Sequence, residues 1–350
     1  MIKKCMVMAA VTLLCLTVFV GQSQSSTTPQ YKWKIVSAEI EGDFMTDWAH
    51  EFADAMEKWS NGNIKIEVYP YGSLGAERDI VELCQLGEAQ FAVTDYGWLS
   101  SFVPQVQVFC LHYLLPKQKS VEVLTDVFEN GKVRSLLIDN FRDKGFQPLA
   151  YLHEGWQWIT SKKGFKTPEE CKGMKIRTMP SQMLFASYKA YGFIPVGLDY
   201  GEIYSALQMS LIDAQTQPMF ANYSMGFHEP TQYITNLGAE MFIAIPVANR
   251  KFFDSLPQDI QNKILEVWAE IEPRAGFDSI KREQKFIDLT KKAKPDIIFY
   301  EFTEEDMKPF KELSVPVREE YLKLGGKGAN EILNALLEDL KTAKEKYGVN

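Results

Sequence analysis

Residues able to do chemistry are few in this chain, and most are scattered. His50, His112, His153 and His228 are the four histidines, and no two stand at the i, i+4 spacing that lets one helix face hold a metal. The turn from Gly72 to Gly75 lacks the Gly-Lys-Ser/Thr that lets a loop cradle phosphate. No nucleophile stands with a base at a recognisable spacing, and only Asp95, Glu154 and Glu202 offer acid or base groups to an enzyme acting on an acid substrate. Arg177 is different, because it closes the segment Gly173-Met-Lys-Ile-Arg177-Thr. A guanidinium is permanently charged and presents paired N–H donors that match a carboxylate, so it keeps its charge in a drying cleft where a lysine loses its proton. Taken by itself, an Arg at the end of a strand is most often a surface salt-bridge partner, so its role depends on the segments around it.

Arg177 also opens an ordered series. Tyr200-Gly-Glu-Ile-Tyr204-Ser-Ala-Leu207-Gln208 follows it, and then Ile212-Asp213-Ala-Gln-Thr-Gln-Pro218. In this order the three segments resemble the solute-binding subunits of TRAP transporters, the C4-dicarboxylate-binding family, whose second lobe reads G-M-K-I-R, F-S-E-V-Y-x-A-L-Q and V-D-G-x-E-N-P. Tyr71-Gly-Ser-Leu74-Gly75-Ala-Glu-Arg78 is similar to the family's Q-L-G-x-x-R turn, and Phe252-Phe-Asp-Ser-Leu256-Pro257 to its W-x-x-L-P segment. The resemblance covers essentially the whole mature chain. It implies an α/β fold, a two-lobed periplasmic-binding-protein-like clamp in which each lobe is a mixed or parallel sheet flanked by helices. Lobe one would comprise 26–154 and 243–282, lobe two 155–242 and 283–350, with the ligand in the cleft between them.

The resemblance also places roles on residues. The family's carboxylate-forking Arg maps onto Arg177. Where the family often has a second Arg, in G-x-R-x-x-T, this chain reads Gly155-Trp156-Gln157-Trp158-Ile159-Thr160, so Gln157 stands in for a cation. Gln217 takes the place of the family's E-N-P asparagine. From the first lobe, Asp95 and Tyr96 follow the third strand and Ala38 and Glu39 follow the first. Tyr200 replaces the usual cleft phenylalanine, and Trp156, Trp158 and Trp98 are candidates for the pocket wall. Loss of one cation with retention of aromatics predicts a monocarboxylate with an apolar, aromatic or hydroxylated body. Hinge closure would dry the Arg177 salt bridge and so strengthen it. The closed monomer would then dock on the separate membrane permease subunits, with no cofactor and no metal. Two other readings stay open: a sensor module presenting ligand to a signalling receptor, and a periplasmic enzyme.

The elements that must position these residues are readable from periodicity. Trp33, Ile35 and Ser37 alternate as a strand, and Thr46 then caps a helix whose apolar face is Trp48, Phe52, Ala55, Met56 and Trp59. Ile64, Ile66 and Val68 form a second strand, a helix runs from about Ala76 to Leu86, and Phe91 to Thr94 is a third strand. This β-α-β-α-β order implies a parallel sheet. A second such unit starts near Leu149. It has strands at Trp158 to Thr160, Lys175 to Arg177, Ile194 to Val196 and Asp213 to Thr216, and helices at Ser181 to Tyr191 and Gly201 to Met209. Two units predict two sheets. From Pro257 to about Lys294 one long helix, kinked at Pro273, can span both lobes. The segment from Glu304 to Tyr347 reads as charged amphipathic helix with a solvated Glu and Lys face.

Composition bounds the setting. Lys3 and Lys4 precede an apolar run from Met6 to Val20, the pattern of a secretory signal peptide over residues 1–25, with cleavage after Ser23 and export to the periplasm. No later segment is long and apolar enough to span a membrane. Loss of Lys3 and Lys4 makes a formal charge of −8 more negative still, which argues against nucleic acid or an anionic membrane as partner. An anion must therefore be attracted locally. Cys84, Cys110 and Cys171 remain after processing, an odd number with no CxxC pair, and they read as buried free thiols with a Cys84–Cys110 bridge left open.

Overall fold

The computed structural model describes residues 29–349, so the signal peptide expected over 1–25 lies outside the described residues. The first unit runs β1 (Tyr31–Ser37), α1 (Phe44–Trp59), β2 (Ile64–Tyr69), α2 (Glu77–Leu86), β3 (Phe91–Asp95) and the short α3 (Tyr96–Leu99). The chain then passes a 3-10 segment, Pro104–Cys110, and two helices that alternation does not reveal, α4 (Ser120–Asn130) and α5 (Val133–Asp143), before β4 (Phe146–Pro148) and β5 (Leu152–Ser161). The second unit follows with α6 (Pro168–Cys171), β6 (Lys175–Thr178), α7 (Gln182–Ala190), β7 (Ile194–Gly197), α8 (Ile203–Gln208), β8 (Ala214–Gln217), α9 (Met219–Ser224) and β9 (Tyr233–Asn249). The rest is α10 (Arg250–Ser255), α11 (Gln258–Ala293), β10 (Ile298–Glu301), α12 (Glu304–Ser314), α13 (Val317–Leu324) and α14 (Ala329–Tyr347).

The fold is a mixed α/β clamp of two lobes. At one end β2-β1-β3 are parallel, and at the other β8-β6-β7 are parallel. The two sheets expected from the two units are joined into one, because β5 and β9 are long antiparallel strands that run through both halves. β3 pairs with the far part of β9, Ala244–Ala248, whereas β8 pairs with the far part of β5, Trp158–Ser161. Between these parts the β5–β9 register slips at His153/Trp156 and again at Trp156/Trp158. Gly155 (φ +95°) on β5 and Gly238 (φ +60°) on β9 take backbone conformations there that a Cβ disfavours. The crossing between the lobes is therefore a bent, bulged ribbon. β9 defeats alternation because sixteen of its seventeen residues are buried, polar Asn236 and Glu240 included.

Three further expectations are corrected. Thr46 does not cap α1. It lies inside the helix and its Oγ1 donates to the Glu39 carbonyl (2.7 Å), while Asp43 holds the cap position. The Gly201–Met209 helix splits into a 3-10 turn, Tyr200–Glu202, followed by α8. The C-terminal segment is three helices, since Pro316 and the Gly325-Gly326 pair interrupt it, and α14 buries Ile332, Leu333, Leu336 and Leu340 against α4 and α5. α11 does run as one helix with Pro273 inside it, packing on β5, α9, α1 and α4. Cys84, Cys110 and Cys171 are buried free thiols.

Candidate functional site

In parallel sheets the carboxyl ends of the strands open on a crevice, because backbone and loops diverge there. Here the carboxyl ends of β1, β3, β6 and β8 face one hollow of about 290 Å³, lined by Ala38, Glu39, Met45, Glu77, Asp95, Trp98, Arg177, Met179, Tyr200, Gln217 and Phe242. The first six come from the first unit, the next four from the second, and Phe242 from β9 beside the crossing. A wider hollow between α2 and the loop after β7, about 850 Å³, shares Trp98 with it.

Arg177 is the one cation lining the inner hollow among the described residues, and it is only 1% exposed. Its Nε donates to the Leu198 carbonyl (2.9 Å), which fixes the plane of the guanidinium, while Nη1 and Nη2 are buried without a partner. Burial lowers its pKa, opposed by Glu77 and Asp95, and a guanidinium stays charged regardless. Two buried, unmet charged donors on a fixed fork are a costly arrangement unless something with paired oxygens comes to them.

Acids crowd the same hollow. Glu77 Oε1 accepts from the Tyr200 N–H (2.8 Å) and its Oε2 is unmet. Burial pushes this carboxyl up to about 7, against the pull of Arg177. Asp95 Oδ1 accepts from the N–H groups of Gly97 (2.7 Å) and Trp98 (3.0 Å), so it caps α3 and lines the hollow together. Burial raises it to about 6, again opposed by its backbone donors and by Arg177. Glu39 accepts from the Met45 N–H through Oε2 (2.7 Å), and burial, with Asp43 beside it, holds its carboxyl well above the usual range. Tyr200 closes one side, edge-on to Tyr71 and Phe227, with its hydroxyl buried and unmet.

The residues singled out from sequence thus divide. Arg177, Glu39, Asp95, Tyr200, Gln217 and Trp98 line this hollow. Tyr96, Gln157, Trp156 and Trp158 do not, and strand geometry says why. Successive β5 side chains leave on opposite faces. Trp158 leaves toward α11, donating from Nε1 to Glu283 (3.1 Å), and Trp156 sits in the bulge opposite Met241. Gln157 leaves on the other face into a buried polar network, accepting from Thr216 Oγ1 (3.5 Å). Tyr96 joins that network by donating to Glu240 Oε2 (3.0 Å), and His112 Nε2 meets Glu240 Oε1 at 3.3 Å. Sequence reasoning missed Glu77, Met45, Met179 and Phe242. Glu77 reads as an ordinary first-turn helix acid, and Phe242 is lost in the apolar run of β9. Of the acid or base candidates, Asp95 and Glu154 are buried and Glu202 is exposed beside the wider hollow. No group of three or more His, Cys, Asp or Glu among the described residues is placed to hold a metal. Nor is any helix among them long and apolar enough to cross a membrane.

Residues 36–324 match the family model DctP, described as bacterial extracellular solute-binding protein, family 7. The chain is 28% identical over 316 residues to the ectoine-binding periplasmic protein TeaA of Halomonas elongata, spanning 90% of this chain and 91% of that one. It is 31% identical over 314 residues to the ectoine/5-hydroxyectoine-binding periplasmic protein UehA of Ruegeria pomeroyi, spanning 88% and 90% of the two. Among solved structures, that of the periplasmic ectoine-binding protein of the TeaABC TRAP transporter from Halomonas elongata superposes with a TM-score of 0.83. The two are 27% identical over 89% of this chain and 99% of that one.

Proposed function

Because this chain belongs to family 7 of the bacterial extracellular solute-binding proteins, the periplasmic subunits of TRAP transporters, we propose that it captures a small organic monocarboxylate between its lobes and delivers it to membrane permease subunits. The observation that carries the reading is the pair of unmet, buried Arg177 Nη donors at the carboxyl ends of two lobes' strands. A carboxylate meeting that fork gains two charge-assisted hydrogen bonds in a dry site, and closure around it removes the unmet donors. One cation favours one carboxylate. The second family arginine is Gln157 here, and Glu39, Glu77 and Asp95 repel a second anionic end. The remaining walls, Met45, Trp98, Met179 and Phe242, suit a compact apolar body. The TeaA and UehA names, both carrying ectoine, fit this reading, since ectoine has one carboxylate on a small ring. The periplasmic setting of TeaA and UehA, and the lysines and apolar run at the start of the chain, support a periplasmic site of capture.

The test is a thermal-shift screen of the purified protein against ectoine, pyroglutamate, succinate, uronates and aromatic acids, repeated on Arg177→Ala. A ligand that binds only the native state raises its Tm. A shift with monocarboxylates that disappears in Arg177→Ala is the expected result. A shift indifferent to Arg177, or a preference for succinate, refutes the reading.

A further inference from the structure

The chain carries a net charge of −8, yet where α12, α13 and α14 come together it gathers cations. Two adjoining hollows lie there, of about 690 and about 800 Å³, and Tyr113 and Lys344 line both. Arg318 and Lys341 line the first, Lys117 and Lys311 the second, and none of these residues lines the hollow that holds Arg177. Cations outnumber the acids of the lining, which are Glu345 in the first hollow and Glu304 in the second. Lys311 meets Glu304 (2.7 Å), and Lys117 faces Glu301 (3.5 Å) and donates to the Phe302 carbonyl. The side chains of Arg318, Lys341 and Lys344 have no ion-pair partner among the described residues.

Packing explains why these cations converge. α12 is seated on the second unit, where the Phe310 ring meets Tyr191 (centroids 5.2 Å apart), and the next residue, Lys311, turns to the groove. α14 is seated on the first unit, against α4 and α5, and presents Leu337, Lys341 and Lys344 along one face at helical spacing. Tyr113 is the floor between them. Its backbone is left-handed (φ +57°), a conformation unfavourable for a tyrosine, and its N–H donates to the Ala239 carbonyl (2.6 Å) beside Gly238 on β9. The Lys311 ammonium stands over its ring, 6.0 Å from the centroid. Burial lowers the pKa of Lys344, and the like charges of Lys311 and Arg318 lower it further, so these three cations are close enough to repel.

We infer that this groove is a second anion site, which takes a small oxyanion with two or more negative charges and bridges Lys344 of α14 with Arg318 of α13 and Lys311 of α12. The site is independent of Arg177 and of the reading of the cleft. Cations held together without enough counter-charge repel one another, and an anion that reaches several of them relieves the repulsion and gains charge-assisted hydrogen bonds. A single carboxylate neutralises one cation and leaves the others, so the arrangement favours a polycarboxylate or a phosphorylated molecule over the monocarboxylate proposed for the cleft. Arg318 offers a planar fork and the lysines compact charges, a combination that accepts either kind of oxyanion.

The test is thermal shift and calorimetric titration with citrate and with pyrophosphate, each set against sodium chloride of equal ionic strength, on wild type, Arg177→Ala and the double variant Arg318→Gln/Lys344→Gln. Wild type and Arg177→Ala are expected to gain Tm with at least one of the two anions beyond what sodium chloride gives. Response to citrate alone assigns the site to polycarboxylates, and response to pyrophosphate alone assigns it to phosphates. In the double variant the affinity falls about fivefold to thirtyfold, the scale of two partly exposed ion pairs. Without anion and at low salt, the double variant melts at or above the wild-type temperature, because like charges have been removed, and this separates loss of a site from loss of the fold. A Tm gain that sodium chloride equals, an affinity that stays within about threefold in the double variant, or a response lost in Arg177→Ala overturns the inference. The double variant binds the acid of the cleft as wild type does, so failure of this site is distinct from failure of the carboxylate clamp.

Discussion

Replacing Arg177 by methionine keeps most of the side-chain volume and deletes the only cation of the inner hollow among the described residues. Its two free Nη groups define two N–H···O⁻ bonds to a carboxylate, each worth about 1.5–3 kcal/mol. Removing one partner of a buried charged pair costs about 2–5 kcal/mol in binding, a loss of roughly thirtyfold to several thousandfold in affinity. The cost to the ligand-free protein is smaller. One bond is lost, from Nε to the Leu198 carbonyl, and two unmet donors disappear with it. Glu77 and Asp95 respond because Arg177 helps to hold them down, ahead of the backbone donors at Glu77 and after those of Trp98 and Gly97 at Asp95, so in Arg177→Met both carboxyls rise above about 7 and about 6. They neutralise instead of repelling. Arg177→Met should therefore fold with a Tm near that of wild type at pH 6, lose relative stability toward pH 8, and bind monocarboxylates at least about thirtyfold more weakly by isothermal titration. Affinity within about threefold of wild type in a folded variant refutes the assignment of Arg177.

Three other perturbations test the rest of the structure. Glu77 and Glu272 are raised to about 7 in the folded state, so the native protein binds more protons than the unfolded chain between the ordinary carboxylate range and pH 7. Their contribution is full at low pH and is lost as pH rises through 7, at up to about 1.4 kcal/mol per group per pH unit. His153, lowered to about 4 by burial, works the other way below about 6.5. Two raised carboxyls outweigh one lowered imidazole until the unfolded carboxyls are themselves protonated, so the Tm of ligand-free protein should rise from pH 8 to about pH 4.5 and turn down only below that; a Tm flat over that span contradicts the buried-acid picture. Gly276→Ala places a Cβ inside the His153 ring, with α11 and β5 both fixed, and should destabilise by about 1–3 kcal/mol or more on denaturant melts; a neutral result means the helix is not seated on the crossing. Trp158→Phe removes the hydrogen bond to Glu283 and should cost about 1 kcal/mol of stability while leaving ligand affinity unchanged. A large affinity loss there would return Trp158 to the pocket wall.

Much of the fold is legible in local pattern, and what is not legible has one physical origin. β1 and β2 show alternation, and the short β3, β6, β7 and β8 are bounded by nearby turns and helices, so each is found from local signals. β5 and β9 are not, since they serve both units and are buried on both faces, so polarity no longer tracks the face. That burial hides the joining of two sheets into one. It also sends Gln157 and the two tryptophans away from the hollow, because a bulge shifts which face each side chain takes. Arg177, Asp95, Tyr200 and Gln217 are placed by short parallel strands whose carboxyl ends are local features, and they do face the hollow. Glu77 is not legible. Its role in the hollow comes from a cross-unit contact to the Tyr200 N–H, at a separation of 123 residues, that no periodicity encodes.

The acidity of the chain and its affinity for an acid are reconciled at the same crossing. A net charge of −8 gives no long-range attraction for an anion, so the energy of capture must be local and dry, where one guanidinium counts for far more than it does in water. The buried acids lower that energy unless they are neutralised, and burial itself raises Glu39, Asp43, Glu77, Asp95 and Glu154 toward or past neutrality. Acids that burial holds toward their neutral form repel an arriving carboxylate less, and Arg177 stays free to attract it.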